Sequence, residues 1–558
     1  MDRRAFLTAG KKKNVLQSSA KSGRNITSGL NPYTGAWTQN EVVHLLKRTM
    51  FGAKKTDVDY FLSRTMSQAV DELLTPTAPL PGPPLKNYDN TEIAGGDPDL
   101  GVALGQTWVN TSSADGAANT KRIISFKAWS VGQMINQDRS IREKLSLFWH
   151  NHFSTETTTI QNAIFVYKHH NLLRQNAVGN FKNLVKAVTI DPGMLIYLNG
   201  DFNTKSAPDE NYARELQELF TLGKENSPNY SEDDVRAAAR ILTGWETDKL
   251  NNVTLFKEVK HDTQDKNFSS FYSNTVITGR TGPTSGDQEL DALLNMIFSK
   301  STQVSEFIVK KLYRWFVYYD IEPSTQANVI VPLAQLLRNS NWDIKPVLST
   351  LFKSEHFFDV LSQGCQIKSP LDFVITVCRE YGVVFPDATD VDTQYGMWLY
   401  IGAWAASLQQ NIGDPPDVSG WKAYYQAPSF YEIWINSDTY PKRNQFTDIL
   451  VYNGYTRNTK KIIIDPVAFA KVLPNPYDPN LLISDSLALL YRINVSQATR
   501  DQIKQDILLS GQTQDYYWSN AWNAYIANPA DPMALQTVSN RLRDLYKYLM
   551  NLSEYHLA

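Results

Sequence analysis

A mainly α fold, built as a large irregular multi-helix array with a small β-hairpin insertion, is what this sequence predicts. Three observations carry the prediction. Apolar residues recur at helical spacing along most of the 558-residue chain. Helix-opening signals precede several of those stretches. One segment, residues 252–281, breaks the pattern with Val, Phe, Thr and Tyr set between turn residues, which reads as one or two short strands paired as a hairpin. No repeat of fixed period runs through the chain, so a solenoid is not expected.

The elements follow in order. Thr38-Gln39-Asn40-Glu41 forms a capping box, hydroxyl first and carboxylate three later, ahead of the apolar Val42, Val43, Leu45 and Leu46. Phe51-Gly52 ends that helix, and a second is expected from Asp57 to Leu74. Residues 75–118 gather Pro76, Pro79, Pro81, Pro83 and Pro84 and read as a long loop. Helical segments fill Lys121 to about Gly223. Ser231-Glu232-Asp233-Asp234 repeats the capping pattern. It opens a helix through Leu242, with Gly244 behind it and Val235, Ala238, Leu242 and Trp245 on its core face. Beyond the hairpin, helices are expected at about Asp287–Tyr319, Val329–Asn339 and Lys345–Phe352. Ser369-Pro370-Leu371-Asp372 opens another, with an N-cap serine, a first-turn proline and an acid at the third position. Residues 411–445, rich in Pro, Gly and aromatics, read as an irregular packed loop. Helices then return and end near Tyr546–Tyr555.

Composition bounds the function classes. The formal net charge is −2, so no global basic field points to nucleic acid. Apolar residues make up 42% and charged residues 20%, a balance that excludes a disordered chain. No run reaches the roughly 18 apolar residues needed to span a membrane. Cys365 and Cys378 are the only cysteines, too few for a disulfide scaffold or a Cys-rich zinc site, and both read as small core residues. Residues 1–30 read as a flexible basic tail and 31–558 as one large helical domain, with a separate C-terminal helical part allowed from about residue 446. The start, Met1-Asp2-Arg3-Arg4-Ala5-Phe6-Leu7, resembles a twin-arginine export signal. Lys11, Lys12 and Lys13 then occupy the place where such a signal needs its apolar stretch, so the lack of one points to the cytoplasm and the twin arginine to export.

Polar groups on apolar faces supply the candidate site. In the helix around Arg142–Phe153, Ile141, Leu145, Phe148, Trp149 and His152 form one stripe, so His152 faces the core. His150 lies about 200° around the axis from it, so an intact helix cannot give both imidazoles to one metal; they meet only if the helix ends between them. On Asp209–Gly223, Glu215 falls in the stripe of Tyr212, Leu216, Leu219 and Leu222, while Arg214 and Glu218 stand off it at surface-pair spacing. Arg240 has no acid at i−3 or i−4, and a tertiary Glu215–Arg240 pair is expected. His261-Asp262 adds an imidazole and a carboxylate on a loop. Together His150, His152, Glu215, Arg240, His261 and Asp262 are the candidate catalytic residues, gathered in one dry recess. No cofactor is named by the sequence, and metal binding is left open.

Several stretches together resemble the bacterial domain-of-unknown-function 1800 family. They are His44-Leu45-Leu46-Lys47-Arg48-Thr49-Met50-Phe51-Gly52, Arg142-Glu143-Lys144-Leu145 leading into Phe148-Trp149-His150-Asn151-His152-Phe153, Asp191-Pro192-Gly193-Met194-Leu195-Ile196-Tyr197-Leu198, Glu210-Asn211-Tyr212-Ala213-Arg214-Glu215-Leu216 through Gly223, Asp234-Val235-Arg236 to Trp245, Lys368-Ser369-Pro370, and Pro415-Pro416-Asp417-Val418-Ser419-Gly420-Trp421. The resemblance runs in order over about residues 38–445. It implies a mainly helical, often exported protein without an assigned activity. This chain departs from the family pattern at Asp209, where the family has Asn, and at Gln264, where it has Gly. A backbone that hugs a ligand at Gln264 is therefore not implied.

Two functions fit these readings. The first is a binding or scaffold protein for polysaccharide or a protein partner. It rests on an aromatic content of 12% and on Trp421, Tyr424, Tyr425, Phe430, Tyr431 and Trp434 in the 411–445 loop. The alternative is an acid–base or metal-assisted hydrolase built on the six residues above. No H-E-x-x-H, G-x-S-x-G or P-loop motif supports a more specific enzyme class.

Overall fold

The computed structural model describes residues 26–89, 99–224 and 229–558. The twin-arginine start and most of the tail expected over residues 1–30 lie outside the described residues. Within 26–30, Ile26 is buried and Ser28 donates to Asp359 at 3.0 Å.

The chain is mainly α. Among the described residues its only sheets are three two-stranded antiparallel pairs. The capping signals form as read. Thr38 caps Gln39–Thr49 and Ser231 caps Glu232–Ile241, each with its backbone N–H donating in return to the acid three residues on. Ser369 caps Pro370–Glu380. The single helix expected over Asp57–Leu74 is instead two, Lys55–Leu62 and Met66–Leu73. The break falls where Thr65 makes a capping box of its own with Gln68. The long loop is packed rather than free-standing. Lys86 is buried and donates to the carbonyls of Asp99 and Val102, and Arg122 clamps Asp99 through two bonds of 2.8 and 2.6 Å.

Three further differences have local causes. Trp245 does not extend the core face of the Glu232–Ile241 helix. Gly244 takes a φ of +93° and turns the chain into a hairpin, with Trp245–Asp248 paired to Val253–Phe256 in the register Trp245↔Phe256. A second pair joins Lys266–Asn267 to Val276–Ile277, so residues 245–277 hold two hairpins. The 411–445 loop is irregular only as far as Asp438. Two 3₁₀ turns, Lys422–Tyr424 and Phe430–Trp434, precede a helix over Thr439–Tyr452. The hairpin Tyr455–Arg457/Lys460–Ile462 had no signal strong enough to be read.

Two close approaches position the site. The 20-residue helix Gly116–Ile135 packs on Val391–Ser407, and a Cβ at Gly132 would sit 2.5 Å from the Trp398 ring, so only glycine lets these helices meet. The last helix, Pro532–Asn551, leads into an isolated bridge between Leu557 and Ile367. That bridge, with Lys368 N donating to the His556 carbonyl, fixes the strand-like entry to Ser369. No helix among the described residues is long and apolar enough to cross a membrane.

Candidate functional site

The structure does not bring the six expected residues into one recess. The Arg142–His152 helix stays intact through both histidines, and all eleven of its residues are buried. The two imidazoles therefore diverge, as the 200° separation requires. His152 sits in the core, 3.2 Å from the Phe220 carbonyl through Nε2 and 3.2 Å from Lys311 Nζ through Nδ1. His150 points the other way, with its ring 4.2 Å from that of His170 and edge-on to Trp421. Neither His150 nitrogen has a hydrogen-bond partner among the described residues. Burial pushes its pKa down to about 3, helped by His169 and Lys127 and opposed by Asp414.

Arg240, Asp262 and His261 do meet, but not around Glu215. Arg240 clamps Asp262 through Nε and Nη2 at 2.7 and 3.1 Å, which replaces the expected Glu215–Arg240 pair. Beside them, fully buried Lys266 reaches Glu289 at 2.6 Å, and His261 Nε2 lies 3.1 Å from the other Glu289 oxygen. His261 Nδ1 is satisfied by the Thr243 carbonyl at 2.9 Å. Glu215 is only half-buried, and the Asn211–Glu215 helix continues as a π turn over Leu216–Thr221. The extra residue per turn rotates the stripe beyond Glu215, where Glu218 is buried. Glu218 pairs with Lys224 rather than Arg214, and Arg214 bonds Glu210 and Glu232. Burial, then Glu218, raises the Glu215 pKa. Among the described residues no group of three or more His, Cys, Asp or Glu side chains is disposed to hold a metal ion.

The aromatic loop is core, not platform. Trp421 is 1% and Trp434 2% exposed. Gly420 makes the first burial feasible: its φ is +90°, and a Cβ there would lie 2.4 Å from the Asn151 carbonyl oxygen. Tyr425, at 37% exposed, faces outward.

A different set of side chains shares a cavity. Five cations, Lys47, Arg48, Lys144, Arg314 and Lys368, and one side-chain carboxylate, Asp372, line a space of about 30 Å³ whose remaining wall includes Trp315, Tyr424, Tyr431, Trp434 and the backbone end at Ala558. One water needs roughly 10–15 Å³, so the space holds about two or three water-sized atoms, enough for the oxygens of a small anionic group. Lys47 is paired with Glu380 and Lys144 with Asp372. Arg48 and Lys368 have no carboxylate within ion-pair distance among the described residues. Arg48, 2% exposed, donates through Nη2 to the Ser362 carbonyl and the Cys365 sulfur at 2.9 and 3.1 Å, and its Nε and Nη1 have no acceptor. Lys368, 3% exposed, donates to the Tyr555 carbonyl at 2.6 Å and lies over the Tyr555 ring. Behind it, fully buried Arg443 donates to the Lys368 carbonyl and leaves its Nε and Nη1 unpartnered. Burial pushes the Arg443 pKa down to about 9, and burial with Lys47 and Arg443 pushes Lys368 well below the usual lysine range.

Lys47, Arg48, Lys144 and Lys368 fall within the family-like stretches but are not among the residues expected from the sequence to form a site. A signal existed. Lys47 lies four residues after Val43 and three before Met50, and Arg48 four after His44, so both fall on faces that are apolar or buried. None of the six expected residues lines this cavity or the wider groove of about 1,090 Å³ that runs between Ser112 and Leu250.

The family model described as "Protein of unknown function (DUF1800)" matches residues 44–556, which takes in every cavity-lining cation. No curated protein and no solved structure matches the chain. With nearly its whole length covered by that match, the chain belongs to the DUF1800 family.

Proposed function

We propose that the chain is a binding protein whose cation-lined cavity takes a small anionic group, a carboxylate or a phosphoryl head. The observation that carries this reading is Arg48: a guanidinium almost wholly removed from water, with two of its nitrogens unpartnered, on the wall of a cavity that three lysines share. A buried charge without a counter-charge costs several kcal/mol even after relaxation, and buried donors are satisfied in the great majority of cases. An anion in the cavity supplies both the charge and the acceptors, and the planar guanidinium suits carboxylate or phosphate oxygens. A polysaccharide or protein partner would then be held by an acidic end group rather than by stacking on Trp421 and Trp434. The hydrolase reading has less support, because only Arg240, His261 and Asp262 of its six residues meet.

Isothermal titration with inorganic phosphate and with acetate tests this reading. Saturable binding is expected for at least one of them, weakened about tenfold or more in Arg48→Met, the loss of one or two charge-assisted bonds. The folded Arg240→Met variant should bind as the unaltered chain does. Equal affinity in Arg48→Met and the unaltered chain, or no saturable binding of either anion, overturns the reading.

A further inference from the structure

The groove of about 1,090 Å³ between Ser112 and Leu250 shares no lining residue with the Arg48 cavity. Its walls are fixed by the chain's own bonds. Asn119, buried on the Gly116–Ile135 helix, donates to the Ser113 carbonyl at 2.9 Å and accepts from the Ala163 N–H at 2.9 Å, which ties three segments together. Ser112 donates to the Leu250 carbonyl at 2.6 Å and so holds the turn of the first hairpin in place. Elsewhere on the lining, Thr157 donates to Asp414 through its backbone N–H and its hydroxyl at 2.8 and 2.7 Å, and Lys127 pairs with the same carboxylate. A groove built in this way stands ready before a ligand arrives, so little ordering is needed on binding.

We propose that this groove binds an acidic oligosaccharide, a chain of a few uronic acid units. Three features of the lining set the class. Aliphatic side chains, among them Ile123, Ile124 and Ile160, offer apolar contact to the C–H faces of sugar rings. Hydroxyl and carboxamide groups, which both donate and accept, suit a ligand that does the same along its length, and the side chains of Thr158, Thr159 and Gln161 make no hydrogen bond to the described residues. No carboxylate lines the groove among the described residues, and Lys249 has none within ion-pair distance, so its ammonium is free to hold an acid group. A peptide would seek an unpaired sheet edge for its backbone, and no lining residue lies in a strand. Size sets the length: pockets for one drug-sized molecule run to about 300–1,000 Å³, so this groove takes several sugar units rather than one. Because the two sites have no residue in common, either reading can fail without the other.

Isothermal titration of the full chain at low salt with tetragalacturonate, and with cellotetraose as the uncharged counterpart, tests this. Saturable binding of tetragalacturonate is expected, about tenfold or more tighter than that of cellotetraose and weaker as salt rises. Lys249→Gln, a change on an exposed turn, should weaken the acidic chain about tenfold, the loss of one charge-assisted bond. Ile124→Trp, at a position already 38% exposed, sets a bulky ring in the groove and should cost about tenfold or more through the clash. Arg48→Met should bind the acidic chain as the unaltered protein does. No saturable binding of tetragalacturonate, equal affinity for cellotetraose, or unchanged affinity in either groove variant overturns the proposal. So does a tetraglutamate peptide that binds as tightly, which would show recognition of charge rather than of sugar.

Discussion

Two buried charge clusters in this chain balance their charges in opposite ways. Around Glu289, the cations Lys266 and Arg240 each have a carboxylate, and the backbone N–H of Arg280 completes the Glu289 shell at 2.7 Å. On the wall of the Arg48 cavity, Arg48 and Lys368 have no carboxylate within ion-pair distance among the described residues, and two Arg48 nitrogens have no acceptor. The first arrangement is closed: its charges cancel inside the protein and leave nothing for a ligand to complete. The second is open in the electrostatic sense, because a charge from outside improves it. A cluster of titratable residues is therefore a weak sign of a site, and an unbalanced one a stronger sign.

The largest expected effect follows from that contrast. Glu289→Gln leaves Lys266 buried with its nearest remaining carboxylate oxygen, on Asp262, 3.9 Å away. Breaking a buried pair in this way costs about 3–5 kcal/mol. Arg48→Met removes a buried cation that had no carboxylate partner, so its loss of two hydrogen bonds is offset by relief of an uncompensated charge, and the net cost is expected below about 1.5 kcal/mol. Urea unfolding of both variants, without added anion, measures the difference. Equal costs would mean that the two clusters are balanced alike and that Arg48 is an ordinary structural residue.

The architecture was legible in the sequence where signals are local. Thr38, Ser231 and Ser369 cap helices because a hydroxyl or an acid three residues on needs only short-range geometry. The candidate site was less legible because its geometry is set by register over long separations. One π turn after Glu215 was enough to bring Glu218 onto the buried face. Arg240 found Asp262 rather than Glu215 because Gly244 folds the hairpin back over the helix end. The cations of the cavity come from segments separated by up to about three hundred residues, and although the helical stripe places Lys47 on a buried face, nothing in it names Glu380 as the partner. The balance of charge in a cluster is a property of the assembled fold.

A second prediction, of intermediate size, concerns the histidines, which sharpen the comparison because they are neutral where the lysines are charged. Burial holds the His150 pKa at about 3, and it pushes His44, His152, His170 and His556 well below the usual value as well. In the unfolded chain these imidazoles titrate near 6.5. Between those values the unfolded state binds more protons, so the stability is full above about pH 6.5 and falls as the pH drops toward 3, by about 1.4 kcal/mol per pH unit for each such histidine. In His150→Gln the slope of unfolding free energy between pH 6 and pH 4 should lessen by about that amount per unit, whatever the change in absolute stability. A slope identical to that of the unaltered chain would show that His150 takes up its proton in the folded state.

The smallest effect separates two arginines one turn apart on the Glu232–Ile241 helix. Arg236 is exposed and pairs with Asp233 at 2.7 Å, a surface ion pair of the kind worth about 0.2–0.5 kcal/mol. Arg240 is partly buried, holds Asp262 with two bonds and reaches the Asp265 carbonyl at 3.2 Å. Asp262 is nearly buried, so losing its clamp leaves a carboxylate that only Lys266 and the Gln264 N–H still address. Arg236→Met is expected to change stability by no more than about 0.5 kcal/mol and to lose that effect in 1 M salt, where screening is nearly complete. Arg240→Met should cost about 1–2 kcal/mol, largely retained in salt, because a charge-assisted bond out of water is little screened. Thermal unfolding at low and high salt reads both. If Arg240→Met were as mild and as salt-sensitive as Arg236→Met, the Glu289 cluster would not be closed at its rim, and the contrast with the Arg48 cavity would rest on Lys266 alone.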